Sequence, residues 1–204
     1  QASPLEVFSL RRCNGLDVFI SGSNSYIQAF GPKTLRHLVL SDLKNLDDDG
    51  LPSLGNYTNL TQLDVSGSEK IKEIWYDVGT YCPPVPLRVL NLAGTSVTCL
   101  QDTGKGVMWE NIHARDNNSS DVDTDDDEKL DISHNPEIDV VAQLGALEGK
   151  CPSFKKLNVS WCEDIVDGEL GTLASIFPDL EWLNLEGSSD ITDEGIVDLA
   201  SLRK

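Results

Sequence analysis

A chain of 204 residues can bury one substantial core or two small ones, and 39% hydrophobic residues is ordinary for a globular protein. Thirty-four acids against 16 bases leave a net charge of −18, which disfavours nucleic acid and anionic membranes as partners and leaves basic proteins or peptides open. No apolar run approaches the roughly 18–20 residues that span a bilayer, no Cys/His spacing points to zinc, and no phosphate-binding glycine loop or nucleophile motif points to catalysis.

In chain order, one nine-residue template recurs: apolar-x-x-apolar-x-apolar-x-x-(small or polar). Its first copy is Leu5-Glu-Val-Phe-Ser-Leu-Arg-Arg-Cys13, and further copies start at Leu35, Leu60, Leu87, Asp127, Phe154 and Leu180. Successive starts lie 30, 25, 27, 40, 27 and 26 residues apart. Another apolar residue follows three places later at Leu16, Leu46, Ile71, Ile138, Ile165 and Ile191, while the fourth copy has Thr98 there beside Val97. Alternation at template positions 4 to 6 predicts a short strand with one buried face. A return of about 15 residues is long enough for a crossover to a parallel neighbour.

The returns favour helices where they read cleanly. Asp49-Gly-Leu51 is a weak helical start; Asp167 to Ala174 and Ile191 to Ala200 are stronger. In the last, Thr192 or Asp193 caps the first turn, and Ile196, Leu199 and Ala200 form an apolar stripe. Pro83, Pro84 and Pro86 exclude a regular helix just before Leu87. The interval of 40 residues carries a surplus that falls at Arg115–Asp127 and reads as an acidic insertion. As a calcium loop it fails, because Asp126, Glu128 and Ile132 stand where a glycine, an apolar residue and a bidentate glutamate belong. A self-repelling mobile loop is expected, with Ser120 and Thr124, each three residues before an aspartate, as phosphorylation sites.

The repeated pattern resembles the leucine-rich repeat family, whose consensus LxxLxLxx(N/C)xL is carried over almost the whole chain. The resemblance implies an α/β solenoid, with a curved parallel sheet on the concave side and helices and irregular turns on the convex side. It implies one domain, 1–204, of about seven repeats. Neither end shows a capping element, so the chain is expected to be part of a longer one. Cys13, Asn135 and Cys162 fall at the ladder position, where a small side chain turns inward onto backbone groups. Cys151-Pro152, Cys162 and Ile191-Thr-Asp193 are similar to the cysteine-containing subtype found in F-box substrate receptors. The third and fourth repeats, with Ser68 and Thr95 in place of cysteine, are closer to plant immune receptors. Five scattered cysteines without close pairs fit reduced thiols in the cytoplasm or nucleus, while five N-x-S/T sequons, at Asn56, Asn59, Asn117, Asn118 and Asn158, leave secretion open.

Template positions 2, 3, 5, 7 and 8 are expected on the concave face. They hold seven bases and seven acids, so the remaining residues carry the whole net charge of −18. A protein partner is expected on Arg11, Arg36, His37, Asp64, Arg88, Asn91, Lys156, Asn158, Trp161, Trp182 and Asn184. Trp182 shares a column with Lys156 on the next strand, roughly 4.8 Å away, a composition typical of binding hot spots. His37, His113 and His134 lack nucleophile companions, so neither catalysis nor a cofactor nor a metal is expected. The expected function is protein–protein recognition. Resemblance to F-box receptors implies substrate presentation to a ubiquitin ligase, its adaptor bound through flanking regions. The alternatives are the sensor region of an immune receptor and an acidic binder of basic proteins.

Overall fold

A computed structural model of the chain describes residues 5–16, 33–51, 57–72, 88–98, 128–145, 154–163 and 165–199. The acidic stretch 115–127 with Ser120 and Thr124, the three prolines before Leu87, and Cys82, Cys99 and Cys151 lie outside them.

Each template copy supplies one three-residue strand at its positions 3 to 5. These are β1 (Val7–Ser9), β2 (His37–Val39), β3 (Gln62–Asp64), β4 (Val89–Asn91), β5 (Lys129–Asp131), β6 (Lys156–Asn158) and β7 (Trp182–Asn184). They form one sheet in sequence order, every neighbouring pair parallel. The architecture is an α/β repeat solenoid. Register pairs like with like: Phe8, Leu38, Leu63, Leu90, Leu130, Leu157 and Leu183 align across the sheet. Parallel pairing across the interval of 40 residues, Leu90 to Leu130, follows the template and ignores the insertion.

This column supplies the core. From Leu38 to Leu157 its members are essentially inaccessible, as are Leu40, Val65, Leu92, Ile132 and Val159 two residues on. Burying each such side chain stabilises by about 1.5–3 kcal/mol. Leu46, Ile71, Val97, Ile138 and Ile165 close the core behind them. In the fourth copy Val97, not Thr98, therefore takes the apolar place. At the ends the same positions, Phe8 and Leu183, are only half-buried.

Helices follow the later strands: α1 (Val140–Gly145), α2 (Asp167–Ile176) and α3 (Asp193–Asp198). Leu144, Leu170 and Leu173 join the core cluster, which puts α1 and α2 behind the sheet and leaves positions 3 and 5 on its open face. The weak start at Asp49 becomes a single 3₁₀ turn, Asp48–Gly50, held by the Asp47 carboxylate on the Gly50 amide. Thr192 caps α3 as expected, accepting from the Glu194 amide at 3.2 Å.

Neighbouring returns are also clasped together. The Asp48 carboxylate accepts from the Lys72 amide, and the Asp167 carboxylate from the Thr192 amide, each at 2.7 Å. Both aspartates stand at position 14 of a copy and both amides at position 13 of the next. The Thr192 hydroxyl also donates to Asp167, and these bonds hold the Asp167 carboxyl below the usual carboxylate range. The expected stripe on α3 is incomplete: Gly195 is buried against Asp167 while Ile196 is 51% exposed. The described α3 packs chiefly beside α2. Among the described residues no helix is long and apolar enough to cross a membrane.

Candidate partner-binding face

Two columns of polar side chains stitch the turn after each strand. Position 9 points inward. Ser68 donates to the Leu40 carbonyl at 3.0 Å, Cys162 to the Ile132 carbonyl at 3.4 Å, and Asn135 to the carbonyls of Leu92, Ile132 and Ser133 at 2.9, 2.8 and 3.1 Å. The bonds to Leu40, Leu92 and, from Cys162, to Ile132 cross to the preceding copy, while Asn135 also binds Ile132 and Ser133 of its own, so this column joins repeat to repeat. Leu43 interrupts it, and there the Leu43 amide donates to Ser68 instead.

Position 5 serves its own turn. The side-chain oxygens of Asp64, Asn91, Asp131, Asn158 and Asn184 accept from the amides of Ser66, Ala93, Ser133, Ser160 and Glu186, at 3.0 to 3.2 Å. An Asx side chain bonded to the amide two residues on fixes a turn locally. The amide-rich stripe therefore shapes the strand exit, and four of the residues expected to bind a partner, Asp64, Asn91, Asn158 and Asn184, have one side-chain oxygen committed to that task. Asn158 is committed further, donating to Asp131 Oδ2 at 3.1 Å.

The turn then enters the left-handed region at position 8 in all seven copies: Arg12, Asp42, Gly67, Gly94, His134, Trp161 and Gly187 have φ between 56° and 82°. For the four that are not glycine this costs roughly 1–2 kcal/mol each. Their side chains interlock along the column. Arg12 Nε lies 3.2 Å from Asp42 Oδ2, and the His134 and Trp161 rings stack with centroids 6.1 Å apart and planes 14° from parallel. Trp161 thus belongs to the turn rather than to the strand, with His134 against its ring.

The open face carries the other expected residues. Arg11 donates from Nε to Ser41 at 2.9 Å and brings its guanidinium to 3.7 Å from Asp64 Oδ2. Arg36 and Arg88 are exposed, while His37 is half-buried. Lys156 and Trp182 are direct partners in the β6–β7 register. Trp161 and Trp182 are 50% and 44% exposed, the two aromatic side chains most open to solvent among the described residues. The expected residues thus form two groups, Arg11 with Asp64 on β1–β3 and Lys156, Asn158, Trp161, Trp182 and Asn184 on β6–β7. Arg36 and His37, at β2, fall within the span of the first group, and Arg88 and Asn91, at β4, lie between the two. Sequence reasoning counted Lys129 and Lys155 on this face and weighed His134 only as a catalytic base, without expecting any of them to bind; column position was the signal for all three.

Asp131 is the most constrained acid on this face. Burial would push its carboxyl up, but hydrogen bonds from Ser133, Asn158 and Lys129, with the Lys129 charge 3.0 Å away, hold it below the usual carboxylate range. A depressed carboxyl stabilises the fold above the unfolded-state value, about pH 3.9, and that contribution disappears as pH falls through the folded-state value. The unfolding free energy of Asp131→Asn from urea titration is therefore expected to lie below wild type at pH 7, by roughly 1 kcal/mol, and to converge with it below pH 4. Parallel pH curves would count against this assignment.

Among the described residues no three His, Cys, Asp or Glu side chains gather as a metal would require. Comparison of the chain with protein-family models, with curated proteins and with solved structures found no match in any of the three.

Proposed function

We propose that the chain is a leucine-rich repeat recognition module that binds a protein partner along the open face of its sheet. The observation carrying this reading is the contrast in side-chain placement. Inner copies bury every described apolar residue of positions 4 and 6, yet Trp161 and Trp182 stand half in solvent on adjacent copies, one of them in a left-handed turn. Large aromatics on a rigid frame lose little entropy on binding and are the residues on which interface energy concentrates. Cys162, bonded into the inter-repeat ladder, supports the cysteine-containing subtype and with it a role in presenting substrates to a ubiquitin ligase.

Alanine replacement tests the face. Trp182→Ala and Trp161→Ala are each expected to weaken partner capture by tenfold or more, about 1.4 kcal/mol, while Val197→Ala, an exposed apolar residue on α3, leaves it unchanged. Equal loss at Val197, or no loss at either tryptophan, sinks the reading. The ligase role is tested separately, by whether the full-length protein captures a cullin-type ligase adaptor.

A further inference from the structure

Charge on the open face is unevenly placed along the strands. At positions 2 and 3 of β4 to β6 stand Arg88, Lys129, Lys155 and Lys156, with Glu128 as the lone acid and Val89 as the lone neutral residue. The equivalent row on β1 to β3 pairs Arg36 with Glu6 and gains no such excess, and β7 contributes Glu181 and Trp182. Backbone bonds lock the row in line: Lys129 N donates to Arg88 O and Lys155 N to Glu128 O, each at 2.9 Å. Lys155 meets Glu181 at 3.5 Å, both side chains largely solvated, an ion pair worth little and easily exchanged. Lys129 is held more firmly, against Asp131 at 3.0 Å.

At the other end of the same three strands, positions 7 and 8 hold no acid or lysine. They hold Ala93 and Gly94, with Ser133 and Ser160 buried, beside the stacked rings of His134 and Trp161. The two ends are five positions apart, at most about 16 Å at the strand rise of about 3.3 Å per residue. Between them, Asn91, Asp131 and Asn158 are tied to their own turns.

From this polarity, and resting on the recognition reading above, we infer that β4 to β6 take an acidic peptide segment of a partner protein. It lies along the strands, its carboxylates over the row of Arg88, Lys129, Lys155 and Lys156 and an apolar side chain against Trp161. The chain's net charge of −18 does not forbid this. At physiological ionic strength charges beyond about 8 Å are largely screened, so a bound carboxylate responds chiefly to the local row, whose four bases outnumber Glu128, Asp131 and Glu181 by one. A phosphate polymer, long enough to meet the rest of the acidic surface, is the poorer fit.

The test uses the whole chain and a short synthetic peptide bearing a run of glutamates, a Ser/Gly spacer and two leucines. Saturable binding is expected, weakened tenfold or more by Lys155→Glu with Lys156→Glu, weakened less by Lys156→Gln, and reduced by high salt. Trp161→Ala is expected to weaken it as well. The gentler Lys156→Gln keeps the test meaningful if the double reversal misfolds. Preference for the same peptide with lysines in place of glutamates, still sensitive to Trp161→Ala, overturns the acidic polarity and leaves the recognition face standing. A uridine oligonucleotide competing at the same lysines overturns the peptide assignment. Glutamate-peptide binding that emerges only after Asp121, Asp123, Asp125, Asp126 and Asp127 are changed to asparagine means that the chain's own acidic stretch holds the row, and overturns an external partner. Failure of both peptides to bind overturns the inference alone; the recognition reading falls only if the two tryptophans are also neutral in partner capture.

Discussion

Replacing Asn135 by alanine is expected to cost about 3 kcal/mol of unfolding free energy and to divide one unfolding transition into two. Asn135 is 2% exposed and makes four hydrogen bonds, three donated to the carbonyls of Leu92, Ile132 and Ser133 and one accepted from the Thr95 hydroxyl at 3.0 Å. None of those carbonyls would be left wholly bare. Leu92 O keeps the Thr95 hydroxyl, Ile132 O keeps Cys162, and Ser133 O keeps the Gly94 amide. Two N–H hydrogens serve the three carbonyls, so the expected loss is the net worth of about three bonds, about 1 kcal/mol each, rather than full desolvation of three groups. Position matters as much as number. The bonds to Leu92 and Thr95 join copies four and five, the pair separated by 40 residues. In a solenoid each repeat is held by its neighbours, so one weakened junction lets the two sides unfold separately. Urea denaturation followed by far-UV circular dichroism reads both effects. Thr95→Ala is expected to lose about 1 kcal/mol alone and less in the Asn135→Ala background. A single unshifted transition, or a loss under about 1 kcal/mol, would show that the ladder is ornamental.

The strands were legible because their signal is redundant. Each copy sets leucine or its equivalents at two alternating positions, and the spacing of 30, 25, 27, 40, 27 and 26 residues between copies is the spacing of the paired residues Val7, His37, Gln62, Val89, Lys129, Lys156 and Trp182. A parallel sheet with one buried column tolerates no slip, since moving one residue would turn every leucine outward. The inward role of Cys162 and Asn135 was legible for the same reason of register. The outward face was read less well, because there the sequence marks columns but not which neighbour a side chain serves. Asp64, Asn91, Asn158 and Asn184 look available in a list of exposed positions, yet each binds the amide two residues later. An Asx residue followed two places on by an amide at a strand exit was the clue. Ile196 was misjudged because an amphipathic stripe presumes something on its far side, and Ile196 stands in solvent while the described α3 packs chiefly on α2. The His134–Trp161 stack depends on a cross-strand meeting of two turns, which no local pattern encodes.

The left-handed column yields the other large effect. Gly187→Ala is expected to destabilise by about 2–4 kcal/mol, and Gly94→Ala by about 1, although both sit at position 8. Their φ values, 82° and 61°, lie in the same region, so each alanine incurs the left-handed penalty of roughly 1–2 kcal/mol. They differ in what a Cβ would meet. At Gly94 the nearest atom is a Gly67 backbone atom 3.8 Å away, an ordinary contact. At Gly187 the Cβ would stand 2.7 Å from Trp161 Cδ2 and 2.8 Å from Cε3, far inside contact distance. The indole must shift or the turn must open, which adds the 1–3 kcal/mol typical of overpacking. Trp161 is held between the His134 ring and the Gly187 backbone, so a shifted indole leaves the stack that positions it for a partner. Gly187→Ala should therefore move the indole N–H resonance of Trp161 and weaken partner capture, while Gly94→Ala does neither. If the two substitutions cost the same and the Trp161 resonance stays in place, Gly187 is a glycine only for its backbone. The clearance for Trp161 would then be incidental, and the case for Trp161 as a built binding platform would rest on its exposure alone.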